Sequence, residues 1–412
     1  MSYKRKEKSV REIAKELGVS SVIEGSVRKA DNKIRATIQL IDAATEEHLW
    51  SSRYDRDVDD IFSLQTEIAD KVVKALTKDG PMKTTSLPNH DVLAYTMLMR
   101  ANQLLHGEGS PTESNLREAL ALFEAAVSRD PGFARANAGV ARAWFHLANN
   151  GYEQFTVMKE KAFPAAARSV ELGPDEPDTH LAMAQILMAQ DKFEAVRSEL
   201  EKALRLNPSM AEAHFWLGEV QMNLDTPAVA IKSFESAMEL DPLSLDHVAG
   251  LAMACHATGR NARALEVLQR ASQLHPKSWW PQVQLARYYM WNKDYAYAQR
   301  YIDKVGELGA GEAQAETIRV GVQGLLYAMT ERRAEAKEAI RYLERMEHEE
   351  ARLQGIFPIA SALGDLDQAF ACLMRLAETG AWGIAVKYLD HYSTLRQDPR
   401  YQEFCKKVGI HP

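Results

Sequence analysis

The sequence predicts a mainly α-helical protein, a solenoid of about eight helical hairpins behind a small α/β unit. Three observations carry that expectation. Helix-breaking dipeptides recur at Asp130-Pro131, Gly173-Pro174, Asn207-Pro208, Asp241-Pro242 and His275-Pro276, and after a first gap of 43 residues the prolines stand 34 apart. Between the prolines the apolar residues follow a helical period, with small residues at matched points of successive intervals. The first 79 residues lack the repeat and read as helix, strands and helix.

In chain order, Ser9 followed three residues later by Glu12 is a capping box for a helix over 9–17, which Gly18 ends. Ser21 to Lys29 alternates as a strand; Ile34, Ala36, Ile38 and Leu40 put apolar groups on one face of the next, with Ala30 to Lys33 as the turn. A weaker third strand covers His48 to Tyr54. Asp59 or Asp60 caps a helix lined on one side by Ile61, Leu64, Ile68, Val72 and Leu76. Residues 80–90, with Gly80, Pro81 and Pro88 among polar neighbours, read as a linker. The repetitive part spans 91–380. It opens with helices near 91–106 and 112–129, joined by the stop Gly107-Glu108-Gly109-Ser110-Pro111. A longer interval over 133–172 carries an insert at Asn149 to Tyr152, and three regular intervals lead to Pro276. A sixth runs from Trp279 to Leu308, and two degenerate pairs follow near 312–346 and 349–379. Residues 381–412 depart from the repeat.

A 34-residue period closed by proline is the tetratricopeptide signature, and the chain resembles that family over most of its length. Ala211 to Ser244 fits it most fully, with Leu217-Gly218, Ala230, Phe234, Ala237 and Pro242 at the pattern's positions. Leu251-Ala252, Gly259, Ala264, Leu268, Ala271 and Pro276 repeat it. The resemblance implies a right-handed α-α superhelix whose first helix in each repeat lines a concave, partner-binding face. Leu395 to Phe404 resembles the closing segment of similar bacterial repeat proteins, which implies a short final helix covering the last apolar face.

The leading segment carries a second resemblance, through Tyr3-Lys4, Val10 to Val19, Ile23 to Arg28, Gln39 to Ala43, His48 to Arg56 and Asp60-Ile61-Phe62. It is similar to the domain ahead of tetratricopeptide repeats in bacterial adenylate/guanylate cyclase-like proteins and winged-helix regulators, itself like the amino-terminal domain of TolB. The match covers the later part of that domain. The chain is therefore expected to be the carboxy-terminal portion of a longer protein, with an unpaired strand edge open to association.

Composition narrows the function. A formal net charge of −7 argues against nucleic acid as the main partner, and the excess of nine Lys or Arg over five Asp or Glu in the first 33 residues reads as solvated surface. Cys255, Cys372 and Cys405 form no Cys-x-x-Cys pair, which fits a reducing compartment. No apolar run is long enough for a membrane span, so the expected location is the cytoplasm. No cofactor or metal is expected. Gly25-Ser26 lacks the second glycine of a nucleophile elbow, and neither a phosphate loop nor a His-Glu-x-x-His motif occurs. His214 and His247 occupy the first helices of consecutive repeats and read as packed or surface imidazoles. An enzyme is not expected.

A protein or peptide partner is. Placing the family's concave positions by the prolines implies Asp178, Leu181, Ala182 and Gln185 in one repeat, then Glu212, Phe215, Trp216 and Glu219. Asp246, Ala249, Gly250 and Met253 follow, then Trp280, Val283, Gln284, Arg287, Met290 and Trp291. From these, Glu212, Phe215, Trp216, Glu219, Met253, Trp280, Gln284, Arg287 and Trp291 are the candidate binding residues, since flat rings, Met and Arg beside acids suit a protein segment. Trp216 and Tyr289 could equally pack against neighbouring repeats. The regular repeats supply none of the Lys, Asn and Arg of the family's carboxylate clamp at these positions, so a basic or amphipathic segment fits the Glu212 and Glu219 side better. The alternative function is the sensory half of a signalling protein whose output domain lies elsewhere.

Overall fold

A computed structural model describes residues 9–31, 33–57, 60–76, 91–105, 112–224, 226–346, 348–379 and 385–410. The expected linker, the stop at 107–111, Tyr3-Lys4, Asp59 and the start of the tail at 381–384 lie outside them. The elements are α1 (Val10–Leu17), β1 (Ser21–Ala30), β2 (Lys33–Asp42), β3 (His48–Asp57), α2 (Ile61–Leu76), α3 (Val92–Leu105) and α4 (Glu113–Arg129). Paired helices follow: α5 (Ala134–Asn149) and α6 (Phe155–Leu172), α7 (Pro177–Met188) and α8 (Phe193–Leu206), α9 (Ala211–Leu224) and α10 (Pro227–Leu240), α11 (Leu245–Ala257) and α12 (Asn261–Leu274). Then come α13 (Trp280–Trp291) and α14 (Tyr295–Leu308), α15 (Ala313–Met329) and α16 (Arg333–Leu343), α17 (Glu349–Leu363) and α18 (Leu366–Thr379). The chain closes on α19 (Ala385–Tyr388), a 3-10 turn (Asp390–Tyr392), α20 (Ser393–Gln397) and α21 (Pro399–Val408). It is mainly helical, a solenoid with a small antiparallel sheet near its start. Two compact units emerge, Met1–Pro111 with Ala121–Phe133, and Thr112–Leu120 with Ala134–Pro412.

In the first unit the capping box forms: the Ser9 hydroxyl accepts from the Glu12 N–H, the Glu12 carboxylate accepts from the Ser9 N–H, and Gly18 ends α1 at φ 70°. The sheet order is β1-β2-β3, antiparallel, with Ser21 opposite Asp42 and Ala30 opposite Lys33. Ala36, Tyr54 and Leu64 are its buried centre, joined by Ile38, Trp50 and Ile68, so β2, β3 and α2 share one apolar seam. Leu76 ends α2 exposed, past that seam. β1 lies outside it too. Ile23 and Val27 stand opposite Leu40 and Ala36 in the ladder, yet remain 55% and 69% exposed.

The second unit is built from helical hairpins, seven of them from α5/α6 to α17/α18 among the described residues. First helices also touch one another, α5 with α7, α9 with α11, α11 with α13, so they form one layer and the second helices the other. The spacing of the small residues has a physical cause at Phe234. Its fully buried ring lies between α9 and α11, where a Cβ on Gly218 or Gly250 would meet it at 2.6 and 2.5 Å. Only glycine admits the ring on both sides.

The histidines of the first helices serve their own repeats. Nε2 of His180 lies 2.8 Å from the Pro174 carbonyl and Nε2 of His214 lies 2.9 Å from the Pro208 carbonyl, the same contact one period on. His247 turns to the Asp241 carbonyl of its own turn, so His214 and His247 do not form a shared site. His180 also places Nδ1 2.6 Å from Glu199. Both of its partners only accept, which requires a proton on each nitrogen, so the ring is an imidazolium. Glu199 accordingly raises the His180 pKa and is itself lowered by His180. The pair's stabilisation is complete below the ordinary histidine value of 6.5 and is lost as pH rises through the raised one; on the acid side it is lost as pH falls through the lowered Glu199 value. His180→Gln should cost about 2 kcal/mol near pH 6 and little above the raised value, read from urea denaturation across pH. An unchanged pH profile would show that the pair contributes nothing.

Candidate partner-binding groove

The layer of first helices carries the candidate residues, and the structure sorts them into three groups. Glu212 is already engaged. Arg142 of α5, only 7% exposed at its side chain, donates to Glu212 at 2.5 Å, and Gln185 Nε2 of α7 donates to its other oxygen at 2.7 Å. This acid ties three successive first helices together, so it is less available to a basic ligand than the sequence implies. Asp178 is likewise placed 3.6 Å from Arg135.

The rings form the second group. Phe215 meets Trp216 at 5.1 Å, Phe234 at 5.9 Å and His247 at 5.3 Å between ring centres, and Trp216 meets Phe145 edge-on at 5.3 Å. Phe215 fills the seam between α9 and the adjacent α11, and Trp216 reaches past α7 to α5. Trp280 stands edge-on to Trp279 at 5.8 Å, while Trp291 lies over His256 at 4.9 Å. All are half-buried, and Met253 packs against both of the unit's large clusters. Gln284 is buried.

The third group is charged and unpaired. Among the described residues Glu219, Asp246 and Arg287 make no ion pair. Burial pushes the Glu219 carboxyl up to about 7, and the nearby Asp246 carboxylate adds to the rise. Asp246 is raised first by its surroundings and then by Glu212, against His247. Asp246 keeps an exposed surface that water reaches, whereas Glu219 is half-buried. Both acids face a space walled by protein and still open to solvent. Burial holds the Arg287 guanidinium below its ordinary range, with Tyr392 opposing that shift.

That tyrosine belongs to the tail, whose course differs from expectation. The closing segment does more than cover the last hairpin. Tyr392 stacks on Phe357 of α17 at 5.0 Å and 11°, but Tyr388 Oη donates to the Met222 carbonyl at 2.5 Å and Lys387 Nζ to the Asn223 carbonyl at 3.1 Å, both at the end of α9. These are the family's last concave positions in that repeat. A segment rooted on α18 reaches a helix four hairpins earlier because the row of first helices curves round it. The predicted Arg287 site therefore lies under the chain's own tail. A signal was present in Val386, Leu389, Tyr392 and Leu395, all buried and each three residues from the next. Among the described residues no group of His, Cys, Asp or Glu is arranged to hold a metal ion, and no helix is long and apolar enough to cross a membrane.

A family model described as Tetratricopeptide repeat matches residues 181–244 and 221–278, and a second of the same description matches 256–319, so these stretches are tetratricopeptide repeats. Over 193 residues, 45% of this chain, the sequence is 33% identical to "Putative adenylate cyclase 3" of Rhizobium meliloti (strain 1021). It is 24% identical over 169 residues, 41% of this chain, to "Superkiller protein 3" of Schizosaccharomyces pombe. The matches span 32% and 12% of those relatives' own lengths. Among solved structures, the human IFIT1 dimer with PPP-AAAA shares the fold at a TM-score of 0.52 and 14% identity, covering 82% of this chain and 79% of that one.

Proposed function

We propose that the tetratricopeptide layer of the second unit is a non-catalytic docking groove for a protein or peptide segment, and that Glu219 and Asp246 receive a basic side chain of that segment. The observation that carries this reading is the unpaired state of the two acids. A carboxyl pushed up to about 7 on an open, protein-walled face is stabilised in its charged form by an incoming Lys or Arg. The half-buried rings beside it supply apolar contact at little entropic cost. Of the candidates, Glu219, Met253 and Trp280 remain suited to contact a ligand, while Glu212, Phe215 and Trp216 set the groove's wall.

The test is selection of displayed random peptides on the immobilised chain, with Glu219→Gln/Asp246→Asn as counter-target. Enriched sequences should carry Lys or Arg and bind the double variant at least about tenfold more weakly, the loss of one charge-assisted contact. Enrichment of neutral peptides that bind both proteins equally would sink the reading.

A second reading, the sensory or regulatory half of a signalling protein, is favoured by the Rhizobium meliloti relative and by the leading segment's likeness to the TolB-like domain. In it the exposed β1 edge, with Ile23 and Val27, pairs with another strand, and the output activity lies outside this chain. Three buried, unpaired cysteines support a cytoplasmic setting. Conversion of ATP to cyclic AMP by this chain alone would overturn both readings.

A further inference from the structure

The contact between the tail and α9 is unusual in what it uses. The last carbonyls of a helix have no partner within it, and the helix dipole leaves that end negative. At α9 these carbonyls are met by an ammonium and a phenol from residues 164 and 166 positions away. Lys387 lies over the Tyr388 ring at 5.7 Å, and Arg396 donates to the Val386 and Leu389 carbonyls at 2.9 and 2.8 Å, which pins the segment in its bent shape. The arrangement is that of a peptide ligand: a preorganised short segment, two polar anchors on backbone acceptors, and apolar side chains in the seam between helices.

We propose that the carbonyl end of α9 and the floor beside it form a docking point for short basic-aromatic segments, and that the chain's own Val386 to Tyr392 occupies it in cis until a partner segment of the same kind displaces it. This rests on the groove reading and adds its regulation. The tethered copy acts at a local concentration on the order of millimolar, so an outside segment gains access only when it binds better or when the tail is released. The proposal also assigns the chemistry recognised, a Lys followed by an aromatic residue, seated on the carbonyls that form the negative end of α9.

The experiment compares the full chain with its Lys387→Glu/Tyr388→Asp variant. That change sets two negative charges against the α9 carbonyls and leaves Val386, Leu389, Tyr392 and Leu395 in place. The probe is a fluorescent synthetic peptide of Ala385 to Gln397. The variant should bind it at least about tenfold more tightly than the wild type, because the competing copy is expelled, and a peptide bearing the same two changes should bind neither. Equal binding to both chains, or none to either, would show that the segment is a permanent part of the core. Hydrogen exchange on the wild type gives a second measurement. Amides of Val386 to Tyr392 should open at least about a hundredfold more often than those of α11, as a locally released segment does; exchange at the same rate would overturn the proposal even if the variant failed to fold. Should displayed peptides still depend on Glu219 and Asp246 while the tail peptide fails, the groove reading stands and this one falls.

Discussion

Phe234→Ala is expected to cost about 3–5 kcal/mol, as loss of a fully buried ring does. The ring is fully buried and fills the contact between two repeats, since Gly218 of α9 and Gly250 of α11 both close on it. Its removal leaves a void that neither glycine can fill, and in a solenoid each repeat leans only on its neighbours. The converse change is also costly. Gly218→Ala or Gly250→Ala places a methyl against the ring and should cost about 1–3 kcal/mol by overpacking. Because the sites share one space, Gly218→Ala combined with Phe234→Ala should cost less than the sum of the two. Urea midpoints for the four proteins decide the matter. A Phe234→Ala loss under about 1 kcal/mol would mean the ring is not the wedge between these repeats.

The second large effect is on pH dependence. The fold keeps a proton on Glu219 that the unfolded chain releases above the ordinary value of 4.5, so stability falls as pH rises from there to about 7. The shift corresponds to roughly 3 kcal/mol if taken whole, and water on the open side of the groove reduces it to roughly 1–3 kcal/mol. Glu219→Gln should remove this fall and leave the protein more stable than the wild type at pH 8 by the same amount. Asp246→Asn should lower the Glu219 pKa, because it removes a neighbouring negative charge. Thermal denaturation from pH 4.5 to 8 measures both. If the wild type and Glu219→Gln curves run parallel, Glu219 is solvated and the groove lacks the electrostatic strain on which the binding reading rests.

Much of the fold was legible because its determinants are local. A proline every 34 residues, Ser9 with Glu12, and the small residues facing Phe234 act within one or two repeats, and short spacing in sequence reports them directly. The register of the prolines also placed Glu219, Met253 and Arg287 on the first helices. What they do there depended on residues far away. Glu212 is taken by Arg142, 70 positions earlier, and Arg287 is covered by a tail whose spacing follows no repeat. Periodicity describes what each repeat has in common, whereas these contacts arise where one repeat differs from the rest.

The bond from Tyr388 to the Met222 carbonyl also bears on how the protein unfolds. A linear array in which each repeat touches only the next can fray from either end, one hairpin after another, and its transition spreads over many partly folded states. A tie between the tail and the middle closes hairpins α9/α10 to α17/α18 into a ring, in which no internal hairpin is an end. While the segment is seated those repeats are coupled into one unit, and its release returns them to the graded behaviour that α5 to α8 keep as an open array.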